Sequence, residues 1–130
     1  MREGWKEVIS EIVIDASLTE ALDNLEEFSH IIVLYWMHQA TGKVPMKVHP
    51  KGKKEAPLVG LFASRSPNRP NSIGKTTVSL LERRSNILKV KGLDAINDTP
   101  VLDIKPYIPG DDSVSGAKVP EWLKKLHDKH

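Results

Sequence analysis

The stretch Gly60-Leu61-Phe62-Ala63-Ser64-Arg65-Ser66-Pro67-Asn68-Arg69-Pro70-Asn71-Ser72-Ile73-Gly74-Lys75 passes from apolar residues into a cationic, proline-punctuated segment and then towards a β-branched run. It reads as strand, ligand loop, strand. Residues 60–63 have strand chemistry, whereas Ser66-Pro67 and Arg69-Pro70 cannot continue a ladder, because proline has no N–H to donate and fixes φ. The loop is therefore irregular and stiff. Prolines on both sides of Asn68 and Arg69 limit the backbone of each, so their side chains are held in few places before any ligand arrives. Pre-organised cations suit an anion, while a surface connection with solvated arginines is the plainer reading of the same residues.

Outward from this loop, short β-prone segments dominate: residues 8–14, 29–37, 43–48, 58–63, 76–82, 87–91 and 101–104. Arg84-Ser85-Asn86 reads as the turn of a hairpin. In 76–82, Val78 and Leu80 share one face and Thr77, Ser79 and Leu81 the other; in 8–14, Ile12 and Ile14 are offset from Ile9 and Val13. Residues 29–37 are nearly all apolar, with Ile31, Ile32 and Val33 β-branched, which predicts a central strand buried on both sides. Ser17-Leu18-Thr19-Glu20 is a capping-box pattern, and Leu18, Ala21, Leu22 and Leu25 follow at helical spacing, so a short acidic helix is expected there. Its Glu20, Asp23, Glu26 and Glu27 read as a solvated face. Residues 50–55 and 110–116 have loop chemistry. Pro120 then suits the first turn of a helix bearing Trp122, Leu123 and Leu126, with Lys124, Lys125, His127 and Lys129 complementing its C-terminal end. The expected fold is mainly β: a single domain over 1–130, a β-barrel of short strands with peripheral short helices.

At 130 residues the chain has the length of one domain and can bury a core without staples. It contains no cysteine, which excludes disulfides, thiolate metal sites and a cysteine nucleophile. The apolar run 31–37 is far too short to span a bilayer, and residues 1–30 lack a signal-peptide pattern, so a soluble cytoplasmic protein is expected. The formal net charge of +2 hides an asymmetry. Residues 1–30 carry eight acids against Arg2 and Lys6, while 43–75 carry eight Lys or Arg against Glu55. A basic middle of this kind points to a polyanionic partner; a solvated lysine face is the alternative.

Common catalytic sites find no support. No Gly-x-Gly is present, so the dinucleotide fingerprint and the phosphate-cradling Walker loop are both missing. His30, His38, His49, His127 and His130 show no tight ligand spacing, which argues against a metal site. Ser64 and Ser66 lack a Gly-x-Ser-x-Gly elbow. His38 and Gln39 close the apolar strand at an edge where a buried sheet can meet a site. Asp94 follows a strand end, where an aspartate is often a turn former. Asp103 either pairs with Lys105 or an arginine, or lines a site.

Residues 60–75, taken with Phe28-Ser29-His30-Ile31-Ile32-Val33-Leu34-Tyr35-Trp36-Met37-His38 and with Leu93-Asp94-Ala95-Ile96-Asn97-Asp98-Thr99-Pro100-Val101-Leu102-Asp103-Ile104-Lys105-Pro106-Tyr107, resemble the TsaA-like (TrmO) family. The resemblance implies an S-adenosylmethionine-dependent tRNA methyltransferase acting on N6 of threonylcarbamoyl-adenosine beside the anticodon, working as a homodimer without a metal. A non-catalytic module that binds S-adenosylmethionine or RNA is the alternative. By resemblance the cofactor-contacting positions fall on His38, Gln39, Arg65, Lys75, Lys91, Gly92, Leu93 and Asp94. Arg65 offers a donor for the cofactor carboxylate, Asp94 an acceptor for ribose hydroxyls and Leu93 apolar contact for adenine. Arg69 and Asn71 are placed to meet the tRNA anticodon arm, the first on phosphate and the second on a splayed base. No residue is identified as a general base. The family carries a further strand and a Pro-Arg-Gln type contact ahead of the part matching 1–14; this segment is expected to be absent here, which leaves a sheet edge for a second subunit to cover. The family's extra C-terminal domain is likewise expected to be absent.

Overall fold

The alternating runs assemble into one antiparallel sheet. The structure is a computed structural model that describes residues 4–40 and 42–128, the last two by backbone alone. Its strands are β1 (Ile9–Val13), β2 (His30–Trp36), β3 (Lys47–Val48), β4 (Val59–Gly60), β5 (Ile73–Arg84), β6 (Ile87–Lys91) and β7 (Val101–Pro106). Five of them form a sheet in the order β1-β6-β5-β2-β7, and β3 pairs with β4 in a separate ribbon. The mainly-β expectation holds. Closure into a barrel is not seen, since β1 and β7 lie at opposite ends of the sheet order and are not paired with each other.

Register explains the core. Ile12 pairs with Leu88, Leu80 with Val90 and Ile31 with Val78, which stacks β-branched and leucine side chains on one face. Ile31, Val33, Leu88 and Val90 are wholly buried, joined by Leu22, Tyr35 and Leu93. Truncating the wholly buried Leu88 to alanine removes methyl groups and leaves a cavity behind, a loss of roughly 2–5 kcal/mol. On the other face Ile32 is buried at the middle of β2, but Ile9, Val13, Trp36 and Ile73 are all at least half exposed and leave much of that face open. β2 lies between β5 and β7, as its apolar composition requires. The β5–β6 turn falls at Ser85-Asn86, with Ser85 in the left-handed region at φ 54°.

Several elements depart from the sequence reading. The acidic helix is a 3-10 helix, Ala16–Leu22, and its cap is Asp15. The Asp15 carboxylate accepts from Ser17 N at 2.9 Å and from Ser17 Oγ at 2.8 Å, so the serine hydroxyl serves as donor to Asp15. Residues 61–63 leave the β4 strand and wind into a 3-10 turn, Leu61–Ala63. Leu61 N donates to Met46 O at 2.9 Å, which ends the β3–β4 ribbon, and both N and Oγ of Ser64 then donate back to Leu61 O. The strand expected at 43–48 shrinks to Lys47–Val48. Near the C-terminus, part of the expected loop forms a single helical turn, α1 (Pro109–Asp112). The terminal helix α2 (Glu121–Asp128) follows Pro120 and buries Leu126. Lys129 and the side chain of His127 lie outside the described residues.

Candidate functional site

Three segments converge where β2 ends. Trp36 N donates to Pro100 O at 3.0 Å and Met37 N to Ser72 O at 2.7 Å, so the approach to β7 and the exit of the proline loop are both tied to this strand end. The chain then turns tightly, with His38 N donating to Trp36 O at 2.8 Å and Ala40 N to Met37 O at 2.9 Å. His38 Nε2 lies 3.5 Å from Gln39 Nε2. His38 Nδ1 is buried and has no hydrogen-bond partner among the described residues. Leaving such an atom unpaired costs about 1–3 kcal/mol, so it is suited to receive a polar group of a ligand.

One residue before Trp36, on the core face, Tyr35 makes a second junction. Its hydroxyl donates to Asp94 O at 2.7 Å and stands 3.0 Å from Thr76 Oγ1. Gly74, its register partner on β5, makes the arrangement possible: a Cβ there would stand 2.7 Å from Tyr35 Cζ. Burial pushes the Tyr35 phenol above its ordinary value; the Thr76 bond opposes this and the negative charge of Asp94 adds to it. Through Tyr35 the segment leaving β6 is held against β2 and β5. Its other anchor is Gly92, at φ 95°, whose N donates to Val8 O at 3.0 Å; that backbone region favours glycine.

The proline loop is braced from within. Arg69 Nη1 donates to Ser64 O at 2.8 Å and Ser66 O at 3.2 Å, and the guanidinium carbon lies 5.5 Å from the Phe62 ring centroid. Asn68 packs so closely on Gly42 that a Cβ there would lie 3.2 Å from its amide. The stiffness read from the prolines is thus reinforced by an arginine that spans the loop. Arg65 and Asn71 remain exposed.

His38, Gln39, the main chain of Asp94 and the loop bearing Arg65, Arg69 and Asn71 therefore gather about the end of β2. Lys75 is near in sequence but pairs with Leu34, so strand alternation puts it on the opposite face from Gly74 and Tyr35. Lys91 is not brought there. It pairs with Ser79, which pairs in turn with His30 at the far end of β2, and its Nζ lies 3.1 Å from Glu7. Leu93 is part of the core. Asp103 pairs with Lys105 at 3.1 Å and accepts from Ile104 N; the lysine bond first and the backbone bond second hold its carboxyl below the usual range. Tyr35, Thr76 and Gly74 are site-shaping residues that the sequence reading missed. A glycine inside a strand is the signal that could have found them, since it marks a close approach. Among the described residues no group of three His, Asp or Glu side chains is placed to hold a metal. No helix among them is long and apolar enough to cross a membrane.

Residues 3–113 match the family model of the tRNA-methyltransferase O N-terminal domain. A probable S-adenosyl-L-methionine-binding protein of Archaeoglobus fulgidus is 47% identical over 117 residues, covering 90% of this chain and 31% of that protein. A mouse tRNA (adenine(37)-N6)-methyltransferase is 42% identical over 112 residues, 85% of this chain and 24% of its own length. The crystal structure of TrmO from Pseudomonas aeruginosa superposes with a TM-score of 0.70 at 33% identity, covering 88% of this chain and 48% of that one. The chain thus spans about a third of the Archaeoglobus relative and about half of the Pseudomonas structure.

Proposed function

The chain belongs to the tRNA-methyltransferase O N-terminal domain family, and on that premise we propose that it binds S-adenosylmethionine and methylates tRNA, at N6 of threonylcarbamoyl-adenosine beside the anticodon. The observation that carries this reading is the buried, unpartnered Nδ1 of His38 at the convergence of β2, the proline loop and the Asp94 segment. A polar cofactor edge satisfies that atom, and the names of the relatives supply the chemical class.

Bound S-adenosylmethionine supplies an already activated methyl carbon, so the protein needs no nucleophile of its own. What the chain contributes is placement. His38 and Gln39 present polar groups at the strand end, Arg65 an exposed guanidinium for a carboxylate, and Asp94 a carboxylate for hydroxyls. Gly92 and Lys91 act at the root of the Asp94 segment, and Leu93 anchors it in the core. Arg69 and Asn71, in the loop, belong to the surface offered to the anticodon arm, and Lys75, on the open face beside Ile73, meets the cofactor at the seam with a second copy. The acceptor nitrogen is attached to a carbonyl and is a poor nucleophile while protonated, so orientation by a hydrogen-bond acceptor matters most at that atom.

The open sheet face supports a homodimer. Trp36 and Ile73, paired in register, lie exposed with Ile9 and Val13 on the side away from the core, a surface that a second copy would cover. The tRNA reading places the protein in the cytoplasm. A second reading, a binding module without catalysis, is favoured by the name of the Archaeoglobus relative, which speaks of binding alone.

Calorimetry with S-adenosylmethionine tests the first half of the proposal, and transfer of labelled methyl to tRNA with and without threonylcarbamoyl-adenosine tests the second. Tight cofactor binding, reduced by His38→Ala, together with transfer to the modified tRNA alone, is the expected result. Binding without transfer would leave the module reading standing. Absence of cofactor binding would refute the methyltransferase and leave only a module that binds RNA.

A further inference from the structure

Phe62 is the most exposed large apolar side chain among the described residues, at 77%. It is not on a loose tip. The 3-10 turn that carries it is closed by Leu61 N on Met46 O and by Ser64 N on Leu61 O. Arg69 lies 5.5 Å from the ring centroid, and its Nη1 is engaged by the carbonyls of Ser64 and Ser66. One side of the ring is thus backed by a fixed cation, while its high exposure leaves the rest to solvent. Immediately beside it, Met46 is 75% exposed and Lys47 pairs with Gly60. Residues 43–75 carry eight Lys or Arg against Glu55.

A fixed aromatic ring, braced by an arginine, with Lys47 in the adjoining ribbon and a basic stretch of chain about it, has the parts of a single-stranded nucleic-acid platform: a π-face for a base and cations for the backbone. We propose that Phe62 stacks an unpaired nucleobase of RNA, with Arg69 holding the ring from behind and the neighbouring lysines engaging phosphates. This rests on the tRNA reading above. It gives Arg69 a second duty, since the same guanidinium that braces the loop also orients the ring. An apolar protein partner would find a poor match in so cationic a surround, whereas a polyanion with exposed bases matches both the charge and the ring.

The test is a titration of an anticodon stem-loop carrying 2-aminopurine in its loop, against a fully paired duplex of the same length, with wild type, Phe62→Ala and Phe62→Trp at several salt concentrations. The ring is exposed, so folding should survive both substitutions. Phe62→Ala should weaken loop binding about 5- to 150-fold, the range for losing one base–aromatic stack. It should leave duplex binding and the salt slope unchanged, because no charge is removed. Phe62→Trp should restore affinity and fluorescence quenching. Equal loop affinity of Phe62→Ala and wild type would overturn the proposal, as would a lowered salt slope, which would mean that the ring merely arranges the lysines. Loss of S-adenosylmethionine affinity in Phe62→Ala would overturn it too, assigning the ring to the cofactor adenine. If wild type itself ignored both RNAs, the tRNA reading would fail first, a result distinct from all of these.

Discussion

Replacing Gly74 by alanine should damage the protein far more than one methyl group suggests. The new Cβ would stand 2.7 Å from Cζ and 3.0 Å from Cδ2 of the buried Tyr35 ring, and strand pairing fixes both backbones. The ring must therefore swing away. Doing so breaks the bond from its hydroxyl to Asp94 O at 2.7 Å and the contact with Thr76 Oγ1 at 3.0 Å. Overpacking of this kind costs about 1–3 kcal/mol, and each lost hydrogen bond about 0.5–1.5 kcal/mol. Gly74→Ala should thus lose roughly 2–6 kcal/mol in urea denaturation. Tyr35→Phe removes only the hydroxyl and should lose roughly 1–3 kcal/mol. Combining Gly74→Ala with Tyr35→Ala should cost less than the sum of the two single changes, because the clash has no partner once the ring is gone. If Gly74→Ala unfolded within about 0.5 kcal/mol of wild type, the size of an ordinary surface substitution, the clamp described for Tyr35 would be wrong.

Further outcomes follow from other contacts. Because the Tyr35 phenol is raised above its ordinary value by burial, its contribution to stability should be intact below about pH 10 and fade as pH rises beyond it; absorbance titration at 295 nm of wild type against Tyr35→Phe should show the missing component only above that point. Arg65→Ala should weaken S-adenosylmethionine by roughly 1.5–3 kcal/mol in calorimetry if the guanidinium meets the cofactor carboxylate, and unchanged affinity would remove that role. Arg83, with its side chain 14% exposed, bonds Thr19 O, Ser85 O and Asp23. Since Asp23 is itself well hydrated, most of the loss in Arg83→Ala should come from the two carbonyls, about 1–3 kcal/mol by denaturant melting. Light scattering at micromolar concentration should give twice the chain mass, and an active monomer would end the dimer proposal.

The strands were legible in the sequence where side-chain chemistry alone decides them. Ile31, Ile32 and Val33 announce a buried strand, and the stretch from Thr76 through Arg84-Ser85-Asn86 to Lys91 announces a hairpin. What escaped was decided by competition between bonds that composition does not rank. Nothing in the residue types says that Ser64 N and Oγ will both turn back to Leu61 O and wind the chain out of the strand, or that Asp15 will occupy the Ser17 hydroxyl before it can cap. The site was half legible. Its chain positions came from motif resemblance; the fold ties His38, the exit of the Arg65 loop and the Asp94 main chain to one strand end but leaves Lys91 at the other. The Tyr35 clamp was invisible because tyrosine in an apolar run reads as core; only Gly74 across the ladder shows that its hydroxyl reaches through to Asp94.

The sheet order has a consequence for how the chain is made. Within the five-stranded sheet only β5 and β6 are joined by a short turn; Ile12 must wait for Leu88, and Val33 for Thr76 and Ile104. During synthesis β1 and β2 leave the ribosome long before any strand they pair with. Their apolar side chains, Ile12, Ile31 and Val33 among them, spend that interval without cover, so nascent-chain collapse precedes pairing and the hairpin supplies the first template. Refolding should accordingly be slow for the chain's size, and destabilising the Ser85-Asn86 turn should delay it more than loosening any other connection in the sheet.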